Sequence, residues 1–274
     1  MSAVADWSAQ LAAWAIPEEI LAAAPESPWV LPRAVFERRV DRHLAEPGTP
    51  THRAVLDALG EGGTVLDVGA GAGAASLPCA AAITGITAVD TDAGLLAAFA
   101  ERARALSLPY RTVQGRWPEV AAQVEPVDVV VCGNVLFNVA DLPPFVRALE
   151  EHAGSRIVLE TAAVHPLTSL NPLWRHFHGI DRPDGPTADD AVAALRELGV
   201  VPEVIRWHKP PFPEHARFEE LVDVTRRRLC LPVERAGEVA DALTGLGVDR
   251  GVPPDLGSSG RAMVTLLWSP ARSR

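Results

Sequence analysis

Thr64-Val65-Leu66-Asp67-Val68-Gly69-Ala70-Gly71-Ala72-Gly73 sets a short apolar run directly before a turn with three glycines, and an alanine-rich stretch follows. The order reads as a β-strand, a ligand-binding loop and a helix. Without Cβ atoms such a loop can turn sharply and approach a ligand closely. The next apolar strand, Gly85 to Val89, ends in Asp90. From that position an acid in a doubly wound fold accepts hydrogen bonds from ribose hydroxyls. Loop and acid together imply a nucleoside-containing ligand.

The glycines alone leave the nucleoside open, because Gly69-x-Gly71-x-x-Ala74 also satisfies the dinucleotide fingerprint. A nicotinamide or flavin site holds a pyrophosphate at the helix start, which favours an uncharged strand end. Here Asp67 stands two residues before the first glycine. A carboxylate aimed near the loop suits a cation better.

On these residues the chain resembles the class I S-adenosylmethionine-dependent methyltransferases, whose first motif reads like Val65 to Gly73 and whose second ends in an acid like Asp90. The resemblance runs from about Val65 to Trp207 and weakens on either side. It implies an α/β, doubly wound Rossmann-like sheet, mostly parallel with an antiparallel last strand. It implies S-adenosyl-L-methionine as cofactor, with Asp67 and the loop residues Gly69, Ala70, Gly71 and Gly73 at the methionine end and ribose. Asp90 would take the ribose hydroxyls, Thr91 and Trp117 the adenine, and Asn134 the floor beneath the methyl. One departure lies in Gln114-Gly115-Arg116-Trp117, where family members commonly carry an acid beside the adenine and this chain has Arg116. The adenine amino group must then find a backbone carbonyl, and Trp117 becomes the packing group.

Composition narrows the class. The 274 residues are enough for one α/β core with additions. A net charge of −10 argues against broad attraction to nucleic acid, which needs clustered Lys and Arg. Lys209 is the single lysine beside many Arg, Ala and Pro, a pattern of high-GC bacterial coding. Cys79, Cys132 and Cys230 are widely spaced, so no disulfide or metal motif is expected. The first residues lack the basic and apolar regions of a secretory signal, and no long uninterrupted apolar run occurs. The expected location is the cytoplasm, with no membrane partner.

Periodicity divides the chain at about residue 59. Residues 1–59 read as a helical cap over the cofactor, with Phe36, Val40 and Leu44 on one stripe. From residue 60 to 274, strands at Val65–Val68, Gly85–Val89, Tyr110–Val113, Val127–Cys132 and Ile157–Leu159 alternate with helices, which means a parallel sheet. Val201–Trp207 and Ala262–Trp268 read as the last strands. Between them, residues 209–261 form an insertion with helices near Phe218 to Leu229 and Val233 to Leu243. That insertion is expected to be a lid or the surface of a homodimer.

The acceptor is the least legible part. In-line methyl transfer asks chiefly for alignment, with a base only where the nucleophile carries a proton. The segment His165 to Asp181 gathers three histidines, Trp174 and Phe177 where the carboxyl edge of the sheet should lie. It is expected to line a small-molecule acceptor pocket, with His165, Trp174 and His178 in contact and His178 or His176 as base. The plainer reading puts Trp174 and Phe177 in core and the imidazoles in solvent. Residues two apart do not share a helix or strand face, so His176 and His178 are not expected to bind a metal. The expected activity is O-, N- or C-methylation of a small molecule. Its rivals are a nicotinamide (NAD(P)) oxidoreductase, an RNA methyltransferase working with a partner, and a non-catalytic cofactor-binding protein, to which Arg116 points.

Overall fold

The computed structural model describes residues 2–212, 214–251 and 255–271. Its centre is a sheet of seven strands: β1 (Gly63–Val68), β2 (Ile83–Asp90), β3 (Tyr110–Gln114), β4 (Val127–Gly133), β5 (Ala153–Ala162), β6 (Glu203–His208) and β7 (Ala262–Trp268). They lie in the order β3-β2-β1-β4-β5-β7-β6. The first five pair in parallel, and β7 runs antiparallel to both β5 and β6. Each strand read from the sequence is present, and the doubly wound class with a reversed last strand holds.

Strand alternation builds two cores. Leu66, Val68, Val130 and Cys132 point to one face, where they meet Phe145 and Leu149 of α6 (Leu142–His152) and Leu195 of α8 (Ala188–Glu197). Val65, Val129 and Val131 point to the other, against Val55 of α4 (Pro50–Leu59) and Phe99 of α5 (Ala93–Ala105). Side-chain period two forces this division, and each fully buried Leu or Phe stabilises the fold by roughly 1.5–3 kcal/mol. Asp92 caps α5 by accepting from the Gly94 and Leu95 N–H groups, and Thr187 with Asp190 forms a capping box on α8. Asp141 sits at the N-cap of α6, but its side chain makes no cap bond.

The amino-terminal helices take different places. In α1 (Ala3–Ala12), Trp7 is wholly buried in the first core and donates from Nε1 to the Val139 carbonyl at 2.8 Å. After the short α2 (Glu18–Ala23), α3 (Arg33–Ala45) lies across the carboxyl edge of the sheet. A third cluster joins α7 (Asn171–His178) to α9 (Phe218–Arg228) and α10 (Ala236–Gly245) of the insertion, with Leu173, Trp174, Phe218, Leu221, Val239 and Leu243 as its centre.

The alanine-rich stretch after the glycine loop is not the expected α-helix. Residues 71–76 continue as turns and Leu77–Ala82 form a 3-10 helix with Pro78 at its start. Proline and the glycine just before it leave too few regular residues to nucleate an α-helix. No described helix is long and apolar enough to cross a membrane.

Candidate cofactor and acceptor site

Two neighbouring cavities open at the carboxyl edge of β1, β2, β4 and β5. The first, of about 550 Å³, is lined by Gly69, Ala70, Gly71, Asp90, Thr91, Gly115, Arg116, Trp117 and Asn134. All but two of the cofactor residues expected from the sequence therefore line one cavity, and the exceptions, Asp67 and Gly73, are not part of its lining.

The backbone explains the loop. Gly69, Gly71 and Gly73 all have positive φ. A Cβ on Gly69 would stand 2.2 Å from Val135 Cγ2, so that glycine is needed for packing. A Cβ on Gly71 would instead project toward Phe36 Cδ1, 3.7 Å away, into space bordered by the cavity. This is a cradle that only a bare backbone keeps open. Asp90 fixes its rim: Oδ2 accepts from the Gly71 N–H at 2.8 Å and Oδ1 from the Asp92 N–H at 2.9 Å. A carboxylate has about four lone-pair sites, so Asp90 retains acceptor capacity for hydroxyls.

Asp67 corrects the sequence reading. Its side chain is fully buried beneath the loop, where Oδ2 accepts from Ser76 Oγ at 2.5 Å and Oδ1 has no partner among the described residues. Burial pushes its carboxyl up to about 7, opposed by the Ser76 bond and helped by nearby Asp90. It supports the loop from behind and presents no carboxylate to the cavity, because on β1 it shares the face of Val65, turned to α4 and away from the strand end.

The second cavity, of about 640 Å³, has mainly apolar walls: Leu11, Trp14, Phe36, Phe137, Leu221, Val224 and Trp207 among them. Phe36, Arg39, His43, Asn134, Asn138 and Glu160 border both cavities, so the two share a wall. Glu160, at the end of β5, accepts from Thr51 Oγ1 at 2.6 Å and from Asn134 Nδ2 at 2.9 Å. His43 is held far below the usual imidazole range, at about 3, by burial and then by His52, Lys209, Arg39 and Arg42. It is neutral at ordinary pH. Glu214, also on the lining, pairs with Arg39 and with Lys209, each at 2.7 Å.

Of the expected acceptor residues, His165 lines this cavity. It stacks on Trp14 with ring centroids 3.8 Å apart, and its Nδ1 accepts from the Leu167 N–H at 3.3 Å. Burial first, then the charges of Arg182 and Arg228, lowers it to about 4. The other three do not reach the cavity. Trp174 is core between α7 and the insertion, with Arg182 stacked over its ring. His178 donates from Nε2 to the Leu229 carbonyl at 2.7 Å, and His176 is exposed against Phe177. Neither lines the cavity as expected: α7 turns its apolar face to α9 and α10, and that rotation carries both imidazoles away from it.

Sequence reasoning missed Glu160, His43, Arg39, Lys209 and Glu214. Only Glu160 had a signal, as an acid at the carboxyl end of a central strand. The insertion residues are brought in by tertiary packing that no local pattern encodes.

Residues 65–154 match a family model described as a methyltransferase domain. No curated protein sequence matches the chain. Among solved structures, a SAM-dependent methyltransferase from Thiobacillus denitrificans in complex with S-adenosyl-L-homocysteine is similar in fold, with 20% identity, 88% of this chain and 99% of that chain covered, and a TM-score of 0.51. The YjhP protein of E. coli is similar at 19% identity, over 88% of this chain and 100% of that one, with a TM-score of 0.51. The matched domain spans the glycine loop, Asp90 and Asn134, and the strand order and cradle fit the methyl donor. Over residues 65–154 the chain thus carries a methyltransferase domain, and its fold is similar to that of S-adenosylmethionine-dependent methyltransferases.

Proposed function

We propose that this enzyme methylates a small organic acceptor held in the apolar cavity beside the glycine loop. The observation that carries the reading is the shared wall. Phe36, His43, Asn134 and Glu160 border both the cradle and the second cavity, so a donor in one and an acceptor in the other meet across them. A volume of about 640 Å³ falls within the range of small-molecule sites.

S-adenosylmethionine supplies an electrophilic methyl carbon on a sulfonium. The chain's own residues do the rest. Gly69 to Gly71 and Asp90 would hold the ribose and methionine end, and Thr91, Arg116 and Trp117 the adenine side. Asn134 forms the floor between the cavities and orients Glu160. Apolar walls exclude water and fix the acceptor, which converts encounter into alignment. His43, neutral and on the shared wall, and Glu160 are the proton acceptors nearest the point of transfer.

The missing α-helix after the loop argues against a nicotinamide cofactor, since pyrophosphate binding relies on a helix N-terminus there. Calorimetric titration with S-adenosylhomocysteine and with NADH tests this. Micromolar or tighter binding of the former alone is expected, and binding of NADH alone overturns the proposal.

A further inference from the structure

The charges of the second cavity oppose those of the chain. The protein carries a net charge of −10, yet four cations, Arg39, Lys209, Arg228 and Arg261, line this cavity with two carboxylates, Glu160 and Glu214. Arg39 and Lys209 share Glu214. Arg261 donates from Nε to the Gly257 carbonyl at 2.7 Å and pairs with no carboxylate among the described residues.

Arg228 stands apart from all of them. Its side chain makes no hydrogen bond or ion pair to any described residue, although those of its neighbours on the same helix do. Arg226 pairs with Glu26 at 2.5 Å and Asp223 at 2.7 Å, and Arg227 with Asp223 at 3.3 Å. Its direction is set by the helix: Leu221, Val224, Thr225 and Arg228 follow the i, i+3, i+4, i+7 spacing, and all four line the cavity. One face of α9 thus offers two apolar side chains, a hydroxyl and an unpaired guanidinium. Burial and the charge of Arg227 hold that guanidinium down to about 10, so it is still charged at neutral pH. A sequestered cation without a counterion is unfavourable unless a ligand supplies one.

Arg228 also lies off the wall shared with the donor cavity, whereas Asn134, Glu160 and His43 lie on it. Position separates anchoring from reaction. We propose that the acceptor is an organic anion with an apolar, ring-sized body, whose charged group pairs with Arg228 while its nucleophile faces Asn134 and Glu160. This rests on the reading of the cavity as an acceptor site.

The test uses the whole protein, first titrated with S-adenosylhomocysteine and then with probes of one shape, following the fluorescence of Trp14 and Trp207, which line the cavity. The probes are 2-naphthoate, 2-naphthyl phosphate, the neutral 2-naphthamide and the cationic 2-naphthylmethylamine. At least one anion should bind about tenfold or more tightly than the amide, and the amine should bind weakest. Arg228→Met should abolish the anion preference without changing affinity for S-adenosylhomocysteine. Arg227→Met, which loses the partly buried pair with Asp223 and does not line the cavity, should keep it. Equal binding of anion and amide, or a preference that survives Arg228→Met, overturns the proposal. Failure of S-adenosylhomocysteine to bind would instead sink the methyltransfer reading, while anion selectivity could still be read in the protein alone.

Discussion

Asn134 is bonded twice to Glu160: its backbone N–H donates to the Glu160 carbonyl at 2.8 Å, and its side-chain amide donates to Oε1 at 2.9 Å. The first bond ties the turn after β4 to β5, and the second aims a carboxylate along the wall between the cavities. Asn134 also holds a φ of +59°, which asparagine tolerates better than alanine. Asn134→Ala should lose about 1–3 kcal/mol through strain and the lost hydrogen bond to Oε1 of Glu160, a side chain that keeps only its Thr51 partner. Asn134→Gly relieves the strain alone, so its thermal midpoint should lie above that of the alanine variant. Equal midpoints would remove strain from the account.

Gly71 is expected to be intolerant for a different reason. A valine there would fill the space under Phe36 and disfavour the positive φ, so Gly71→Val should weaken S-adenosylhomocysteine binding by at least about tenfold in calorimetry. Far-ultraviolet circular dichroism should stay near that of the parent. Retained affinity would show that the cradle is not where the donor sits.

Asp67 predicts a pH dependence. Its folded value near 7 lies above its ordinary 3.8, so the folded chain holds a proton that the unfolded chain has released between them. That contribution to stability is complete below the lower value and is lost as pH rises through the upper one. Asparagine escapes the loss. The stability of Asp67→Asn relative to the parent should therefore rise, by up to roughly 4 kcal/mol, between about pH 4 and about pH 8 in urea titrations. A difference that does not change with pH would show the carboxyl ionised throughout.

The two histidines of α7 should separate. His176→Ala removes an exposed ring and should shift stability by less than about 0.5 kcal/mol. His178→Ala leaves the Leu229 carbonyl without its donor and should lose about 1–2 kcal/mol in the same assay. Neither should alter binding of the naphthoate probe, and loss of that binding in His176→Ala would restore it as a site residue.

What the sequence revealed and concealed follows from the range of the forces involved. The strands, the helices of the insertion and the loop at Gly69 to Gly73 were readable because period, caps and glycine spacing act over a few residues. The failed helix at Leu77–Ala82 was a contest between alanine propensity and Pro78, in which backbone geometry won. His178 and Trp174 were misplaced because a helix pattern gives an apolar face without naming what that face will meet. Arg39, Lys209 and Glu214 converge from opposite ends of the chain, and no local signal marks them.

Phe36, Arg39 and His43 ride on α3 and touch both compartments. The helix is a party wall between two rooms. Any tilt of α3 therefore reshapes both compartments at once, and neither can change its lining without the other.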